Sequence, residues 1–361
     1  MRSEVSPATK PPFSAEEYVR LAAEYLEMRR IEESLACSER AIQLGADPLS
    51  VSYQRWMCFM LRGDLESAWR ETDLTEAARR SANSTQSHLP LHLRRVWDGS
   101  SLEGKRVLVR CYHGLGDTIQ FVRYIPLLRM RAAWIVVQCQ RRLAPLLQSL
   151  REIDELFFLE DGEVDAESDV QIELMELAYA FRTTLETIPC RVPYLRVSQV
   201  AFTEASCRCS AGALRIGLAW SSGDWNRARN IRLAQLADLG RSNETRDIAF
   251  YSLQRGDAAR EILGCPHLRI LDRERECKSI TDTAATIAHM DLVISVDTMV
   301  AHLAGALGRP VWLLLPFCAD WRWMLGRNDS PWYPAMRLFR QKSPGEWQPV
   351  VEEVSAALAR P

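Results

Sequence analysis

A carboxylate, a hydroxyl and an imidazole stand close together at Asp297, Thr298 and His302, between two apolar runs, and this set of groups can hold an anion. Leu292 to Val296 and Val311 to Leu315 are continuous apolar stretches bounded by turn residues, the pattern of parallel strands covered on both faces. The small-residue stretch Val300 to Leu307 reads as a helix between them, closed by the turn Gly308-Arg309-Pro310. The polar hinge therefore lies at the carboxyl edge of a sheet and the amino end of a helix, where backbone N–H groups and the helix dipole favour negative charge. Ser295 belongs to the same edge, and His302 could donate to an anionic oxygen. The chemistry expected of these four residues is that of a diphosphate pocket.

Three further stretches could do chemistry. In Gly114-Leu115-Gly116-Asp117-Thr118, the glycines permit a tight turn and close backbone approach. Asp117 would open the next helix, either as a general base that takes a proton from an attacking hydroxyl or as a helix cap. Gln120 and Arg123, one turn on, could hold substrate oxygens. In Trp220 to Ile231, Ser221, Ser222 and Gly223 suit close approach to phosphate, and the forked guanidiniums of Arg227 and Arg229 match its geometry. The bland alternative is a solvated polar loop. Gln254, after the strand Ile248 to Leu253, could read a base or ribose. No D-x-D sequence occurs to hold a divalent ion on a diphosphate, so no metal is expected and the charge falls to Arg, His, helix ends and backbone N–H groups. H-E-x-x-H, G-x-S-x-G and Walker A sequences are absent.

These residues need a scaffold, and 361 residues suffice for two or three domains. With 47% hydrophobic and 25% charged residues the chain has the composition of a globular protein rather than a disordered or fibrous one. A net charge of −2 supplies no general drive toward nucleic acid or anionic membrane. The amino-terminal stretch has no apolar core and is not expected to be a secretory signal. No apolar run approaches the ~20 residues of a membrane span. A cytoplasmic location is expected, with peripheral attachment to the inner membrane left open. The ten cysteines lie mostly singly in apolar contexts, which suits reduced thiols.

Residues 14–80 read as helical and repeated: Ala22 and Trp56, Tyr25 and Phe59, Ile31 and Leu65, and Ser34 and Ala68 are each 34 residues apart. That period with small and aromatic residues resembles a tetratricopeptide repeat. Two units are few for a free-standing solenoid, so the segment is expected to pack on the domain next to it in the chain, either to recruit a protein partner or simply as a cap. Residues 81–101 read as a connector. From there the pattern alternates: a strand over Arg106–Tyr112, a helix over Ile119–Met130, a strand over Trp134–Cys139, and short strands near Phe157 and Val170. Thr187 to Ala213 reads as a linker. A second alternating set comes after it, with strands at Leu214–Trp220, Ile248–Leu253 and Leu268–Leu271, a helix over Asp282–Met290, and a tail helix within Trp347–Ala359. The expected division is a helical segment (14–80), one Rossmann-like domain (102–200), a second (212–345), and a terminal helix (346–361). Ligand would bind in the cleft at the carboxyl ends of both sheets.

Together these motifs resemble glycosyltransferase family 9, the heptosyltransferase-like group, and most nearly its bacterial branch fused to tetratricopeptide repeats. The likeness rests on Gly114-Leu-Gly-Asp-Thr-Ile-Gln-Phe-Val-Arg-Tyr-Ile-Pro126 and on Asp291 to Pro310. Ile216-Gly-Leu-Ala-Trp220 with its Arg-rich loop, and Asp320-Trp-Arg-Trp323 leading to Ser330-Pro-Trp-Tyr-Pro334, add to it. The resemblance implies an α/β fold of GT-B type, two Rossmann-like domains facing a cleft, and inverting sugar transfer from a nucleotide-diphosphate donor with no cofactor. It implies that Asp117 is the base, that the family's basic residue falls on Arg229 or Arg227, and that its D-T-G-x-x-H motif falls on Asp297, Thr298 and His302. Met299 replaces the motif's glycine and narrows access near the phosphate, so the donor need not be ADP-heptose. The acceptor would be a hydroxyl on a glycan, a lipid-linked glycan or a protein. Two other readings remain open: an inactive repeat-and-Rossmann scaffold, and a sugar-nucleotide epimerase that would release a free product.

Overall fold

The structure is a computed structural model, and it describes residues 13–81, 96–97, 99–162, 167–206, 209, 213–223, 226–244, 247–272 and 274–359. Most of the expected connector at 81–101 and parts of the expected linker and of the Trp220–Ile231 loop (Asp224, Trp225) lie outside these residues. The chain divides into two compact units: one formed by residues 1–95 with Asp320–Gly326, the other by 96–319 with 327–361. Among the described residues no helix is long and apolar enough to cross a membrane.

The first unit holds four helices, α1 (Ala15–Glu27), α2 (Ile31–Gln43), α3 (Leu49–Arg62) and α4 (Leu65–Ser81). The second pair begins 34 residues after the first at both helices, as the spacing of apolar residues predicts. Ser14 starts α1 with a capping box: its hydroxyl accepts from the Glu17 N–H while the Glu17 carboxylate accepts from the Ser14 N–H. Helices α1 and α2 approach closely because Ala22 and Ser34 are small, and the Ser34 hydroxyl donates to the Ala22 carbonyl at 2.7 Å. Gly63 takes the left-handed conformation (φ 78°) that ends α3. The late segment Asp320–Gly326 belongs to this unit, which the sequence did not suggest. Trp321 packs edge-on against Trp56 with centroids 5.7 Å apart, and the Leu325 N–H donates to the Leu61 carbonyl at 2.7 Å.

The second unit contains two parallel sheets. The first has strands β1 (Arg106–Arg110), β2 (Trp134–Cys139), β3 (Glu155–Phe158) and β4 (Val170–Glu173) in the order β3-β2-β1-β4. The second has β5 (Leu214–Ala219), β6 (Ile248–Ser252), β7 (Leu292–Val296), β8 (Val311–Leu315) and β9 (Met336–Arg340) in the order β6-β5-β7-β8-β9. Every neighbouring pair is parallel. Apolar runs such as Val107–Val109 and Val293–Ile294 are fully buried because helices and loops cover both faces. The helices of this unit are α5 (Leu115–Phe121), α6 (Ile125–Arg129), α7 (Ala144–Leu147), α8 (Leu177–Ala180), α9 (Gln199–Ser206), α10 (Ile280–Ala288), α11 (Met299–Ala306) and α12 (Gln348–Leu358). The two-sheet architecture is that of the GT-B type. Strand order reverses at β1/β4 in one sheet and at β5/β7 in the other, and such switch points open crevices at the carboxyl ends of strands.

Three local expectations are corrected. The single helix expected over Ile119–Met130 is α5, a 3₁₀ turn at Val122–Tyr124 and α6, whose Pro126 has no N–H to continue the ladder. Leu268–Leu271 is not a strand: Pro266 and the left-handed Arg269 (φ 46°) interrupt the extended run, and only Leu271 bridges to Tyr251. The stretch read as a linker is packed rather than loose. It carries α9, where the Phe202 ring stacks on His289 at 4.0 Å, and the Tyr194 N–H donates to the Ala306 carbonyl at 3.1 Å.

Candidate active site

Two helices meet near their amino ends within the second unit. Helix α5 leaves the end of β1 and α11 leaves the end of β7, both at switch points. The contact between them is Gly116 against His302: a Cβ on Gly116 would lie 2.8 Å from His302 Cδ2. Glycine is therefore needed here for close approach, since no side chain fits between helix and ring.

Thr298 caps α11, its hydroxyl accepting from the Val300 N–H at 3.1 Å. Thr298 and Met299 are half-buried, while Asp297 and His302 lie beneath them at 4% and 3% exposure. Asp297 joins two partners: Arg229 Nη1 is 3.1 Å from its Oδ2 and His302 Nε2 is 3.6 Å from its Oδ1. On the other side of the ring, Nδ1 is 2.9 Å from the Tyr333 hydroxyl. Arg229, Asp297, His302 and Tyr333 thus form one largely buried polar chain, in which the Asp297 carboxylate is paired with a guanidinium and approached by an imidazole. Arg227, two residues before Arg229, is exposed.

On the β1 side, Asp117 occupies the third position of α5, and its Oδ2 accepts from the Gly114 N–H at 3.0 Å. The capping role weighed for Asp117 is therefore present, and its half-buried carboxylate also lies at the carboxyl edge of the sheet. Glu173, at the end of the adjacent strand β4, is a second carboxyl group here. Its Oε1 is 3.5 Å from His113 Nε2, and its Oε2 accepts from the Glu176 N–H at 3.1 Å. Burial pushes the Glu173 carboxyl up to about 7; the Asp117 charge adds to this, and the N–H groups of Leu174, Met175 and Glu176 oppose it.

Several residues expected to touch substrate are engaged with the protein itself. Gln254 is buried, its Oε1 accepting from the Trp220 and Ser221 N–H groups at 3.0 and 2.9 Å and its Nε2 donating to the Ser221 and Arg255 carbonyls. It shapes the loop after β5 and also lines the cleft past β6. Arg123 is 4% exposed and donates to the carbonyls of Gln120 and Trp332 and to the Tyr194 hydroxyl, with its guanidinium over the Tyr194 and Tyr333 rings. These contacts tie the segment between α5 and α6 to residues near the second sheet. Gln120 is fully buried. Ser295 is also fully buried; its hydroxyl donates to the Val296 carbonyl and lies 3.3 Å from the Thr298 hydroxyl, so it supports the hinge from below.

A cleft of about 680 Å³ opens past the end of β6, lined by Gln254–Gly256, Ala259, Arg260, Ile262, Leu263, Asp272, Glu274, Arg275 and Cys277. One wall is set by Glu274, which accepts from Arg255 Nε and from the Thr283 hydroxyl. Strand β5 lies between β6, past whose end this cleft opens, and β7, which leads to the Thr298 corner, so the two are two strand spacings of about 4.8 Å apart.

Glu173 and Tyr333 were not singled out from the sequence. Glu173 had one legible signal, a carboxylate ending the short apolar strand Val170-Gln-Ile-Glu173 at a carboxyl edge. Tyr333 sits in Ser330-Pro-Trp-Tyr-Pro334, an irregular segment with no periodicity to show which way its ring turns.

The model for glycosyltransferase family 9 (heptosyltransferase) matches residues 278–314, the run from α10 through β8 that contains the Thr298 corner. Protein FlbA of Caulobacter vibrioides is 26% identical over 380 residues, an alignment that takes in 96% of this chain and 62% of that protein. The chain thus spans about three fifths of the length of this curated relative. Among solved structures, ADP-heptose lps heptosyltransferase II of E. coli superimposes with a TM-score of 0.54 at 16% identity, covering 70% of this chain and 98% of that one. A glycosyl transferase family 9 protein from Veillonella parvula gives a TM-score of 0.49 at 15% identity, covering 68% and 88%. The resemblance to glycosyltransferase family 9 drawn from the motifs holds, and the fold of the two-sheet unit is heptosyltransferase-like.

Proposed function

We propose that this protein is an inverting glycosyltransferase that moves a sugar from a nucleotide-diphosphate donor to an acceptor hydroxyl without a metal ion. The observation that carries the reading is the meeting of two helix amino ends across the Gly116–His302 contact, one bearing Asp117 and the other capped by Thr298. The diphosphate would sit at the amino end of α11 against Thr298, with the Arg229–Asp297–His302 chain beneath it. The nucleoside would extend toward the cleft past β6. Asp117 would take the proton of the acceptor hydroxyl as its oxygen bonds to the anomeric carbon. The bond from that carbon to the diphosphate would break, its electron pair leaving on a phosphate oxygen. The helix end, the Thr298 hydroxyl and the Arg229 guanidinium would stabilise the charge that develops there. The acceptor would be a glycan, a lipid-linked glycan or a protein side chain, and the helical unit is where a protein partner would bind.

The test is a thermal-shift panel of nucleoside diphosphates on the full chain, with transfer assays on Asp117→Asn after it. A nucleotide at 100 times its Kd should stabilise the protein by about 2.7 kcal/mol. Asp117→Asn should keep that shift and lose about 10²–10⁴ in turnover. A protein that no nucleotide stabilises is not a nucleotide-sugar transferase, and one that binds but never transfers is a scaffold.

A further inference from the structure

His302 is gripped from both sides of its ring. Asp297, paired with Arg229 at 3.1 Å, is a carboxylate and can only accept, and its Oδ1 lies 3.6 Å from His302 Nε2, an approach that favours the tautomer with hydrogen on Nε2. In that tautomer Nδ1, 2.9 Å from the Tyr333 hydroxyl, accepts from it. Tyr333 is held in turn. It is 1% exposed and lies so close to α11 that a Cβ on Gly305 would collide with its ring. Its other neighbour belongs to the first sheet's helices: the Arg123 guanidinium sits 4.6 Å from the ring centroid while donating to the Trp332 carbonyl beside it. Arg123 is further fixed between that ring and the Tyr194 ring at 4.7 Å, and Tyr194 donates to the Ile119 carbonyl at 3.0 Å.

We propose that Tyr333 is a positioning residue that sets the orientation and tautomer of His302, and that through Arg123 it makes this setting depend on the docking of the two sheets. The proposal rests on reading the α11 corner as the donor phosphate site. Tyr333 itself touches no reacting atom. Its phenol keeps Nδ1 occupied, so that the Nε2 hydrogen is the one directed toward Asp297 and the edge of α5. The segment Ser330–Pro334 thereby gains a role: it delivers to the donor corner a side chain that also senses Arg123.

The experiment compares full-length wild type, Tyr333→Phe, which removes one oxygen, and Arg123→Lys, which keeps the charge but loses the planar fork. The readouts are the ¹⁵N–¹H ring correlations of His302, assigned by difference from His302→Gln, the affinity for ADP, GDP and UDP, and the transfer rate. In wild type, His302 should show one tautomer with hydrogen on Nε2. In Tyr333→Phe its ring signals should shift or average, and Arg123→Lys should give a weaker change of the same kind. Turnover in Tyr333→Phe should fall about 10- to 100-fold, the effect of a misplaced group, while nucleotide affinity stays within about threefold and the unfolding midpoint within a few degrees. A wild-type His302 with hydrogen on Nδ1, or Tyr333→Phe spectra that coincide with wild type, overturns the proposal. Altered His302 spectra in a protein that binds none of the nucleotides would support the positioning role and remove the transferase reading instead.

Discussion

Gly116→Ala tests the contact on which the site is built. The new Cβ would stand 2.8 Å from His302 Cδ2, whereas carbon atoms rest at about 3.5–4.0 Å. The ring or α5 must therefore give way by about 0.7 Å. His302 cannot swing aside without losing its 2.9 Å bond to Tyr333 or its approach to Asp297. Overpacking of this kind costs about 1–3 kcal/mol, and alanine in place of glycine inside a helix returns up to about 1 kcal/mol. The net loss of stability should be small, about 0–2 kcal/mol, readable by urea unfolding with an unchanged slope. Catalysis should suffer more, because a displacement approaching 1 Å in a reacting constellation costs on the order of 10²-fold. The signature is a protein that is nearly as stable as the parent, binds nucleotide, and has lost one to two orders of magnitude in turnover. A variant more stable by about 1 kcal/mol with full turnover would mean that α5 and α11 do not meet as described.

Two further outcomes are expected from the same structure. Glu173 is neutral in the folded chain up to about pH 7 but ionises near 4.5 when unfolded, so the folded state binds the extra proton and stability falls as pH rises through that window. Glu173→Gln should remove this slope and be more stable than the parent by up to about 3 kcal/mol at pH 8, checked by unfolding at pH 4.5 and 8; an unchanged slope would place the titration elsewhere. Ser14→Ala breaks the capping box that starts α1 and should cost the helical unit about 1 kcal/mol, with the transfer proposed for the other unit unaffected; equal loss in both would show that the cap does more than start a helix.

Much of the fold was legible because the signals are local. The parallel strands announce themselves as apolar runs between turn residues, and the 34-residue offset of the helices arises from small and aromatic residues recurring at one spacing. The hinge at Asp297–Thr298 was readable for the same reason: strand, polar break and small-residue helix occupy adjacent positions. Where a local rule met an exception, the reading slipped. Pro126 divided an amphipathic run into α5 and α6, and a left-handed Arg269 ended an apolar stretch that looked extended.

The division of labour within the site was not legible, because it depends on which polar groups find each other across long separations. Composition marks Arg123, Gln254 and Ser295 as groups able to bind a substrate, and each of them can. Only the folded chain shows that Gln254 is taken up by backbone groups 33 and 34 residues away, and that Arg123 is taken up by a carbonyl 209 residues away. A buried polar group must be paired wherever its partner comes from, and sequence distance carries no information about that. What the sequence determined by itself is most of the strands, the paired helices of the first unit and the two helix ends able to face an anion and a hydroxyl. The tertiary structure decided that Gly116 meets His302, that Glu173 stands beside Asp117, and that Tyr333 holds the imidazole, since close approach and burial are properties of packed surfaces and not of neighbours along the chain.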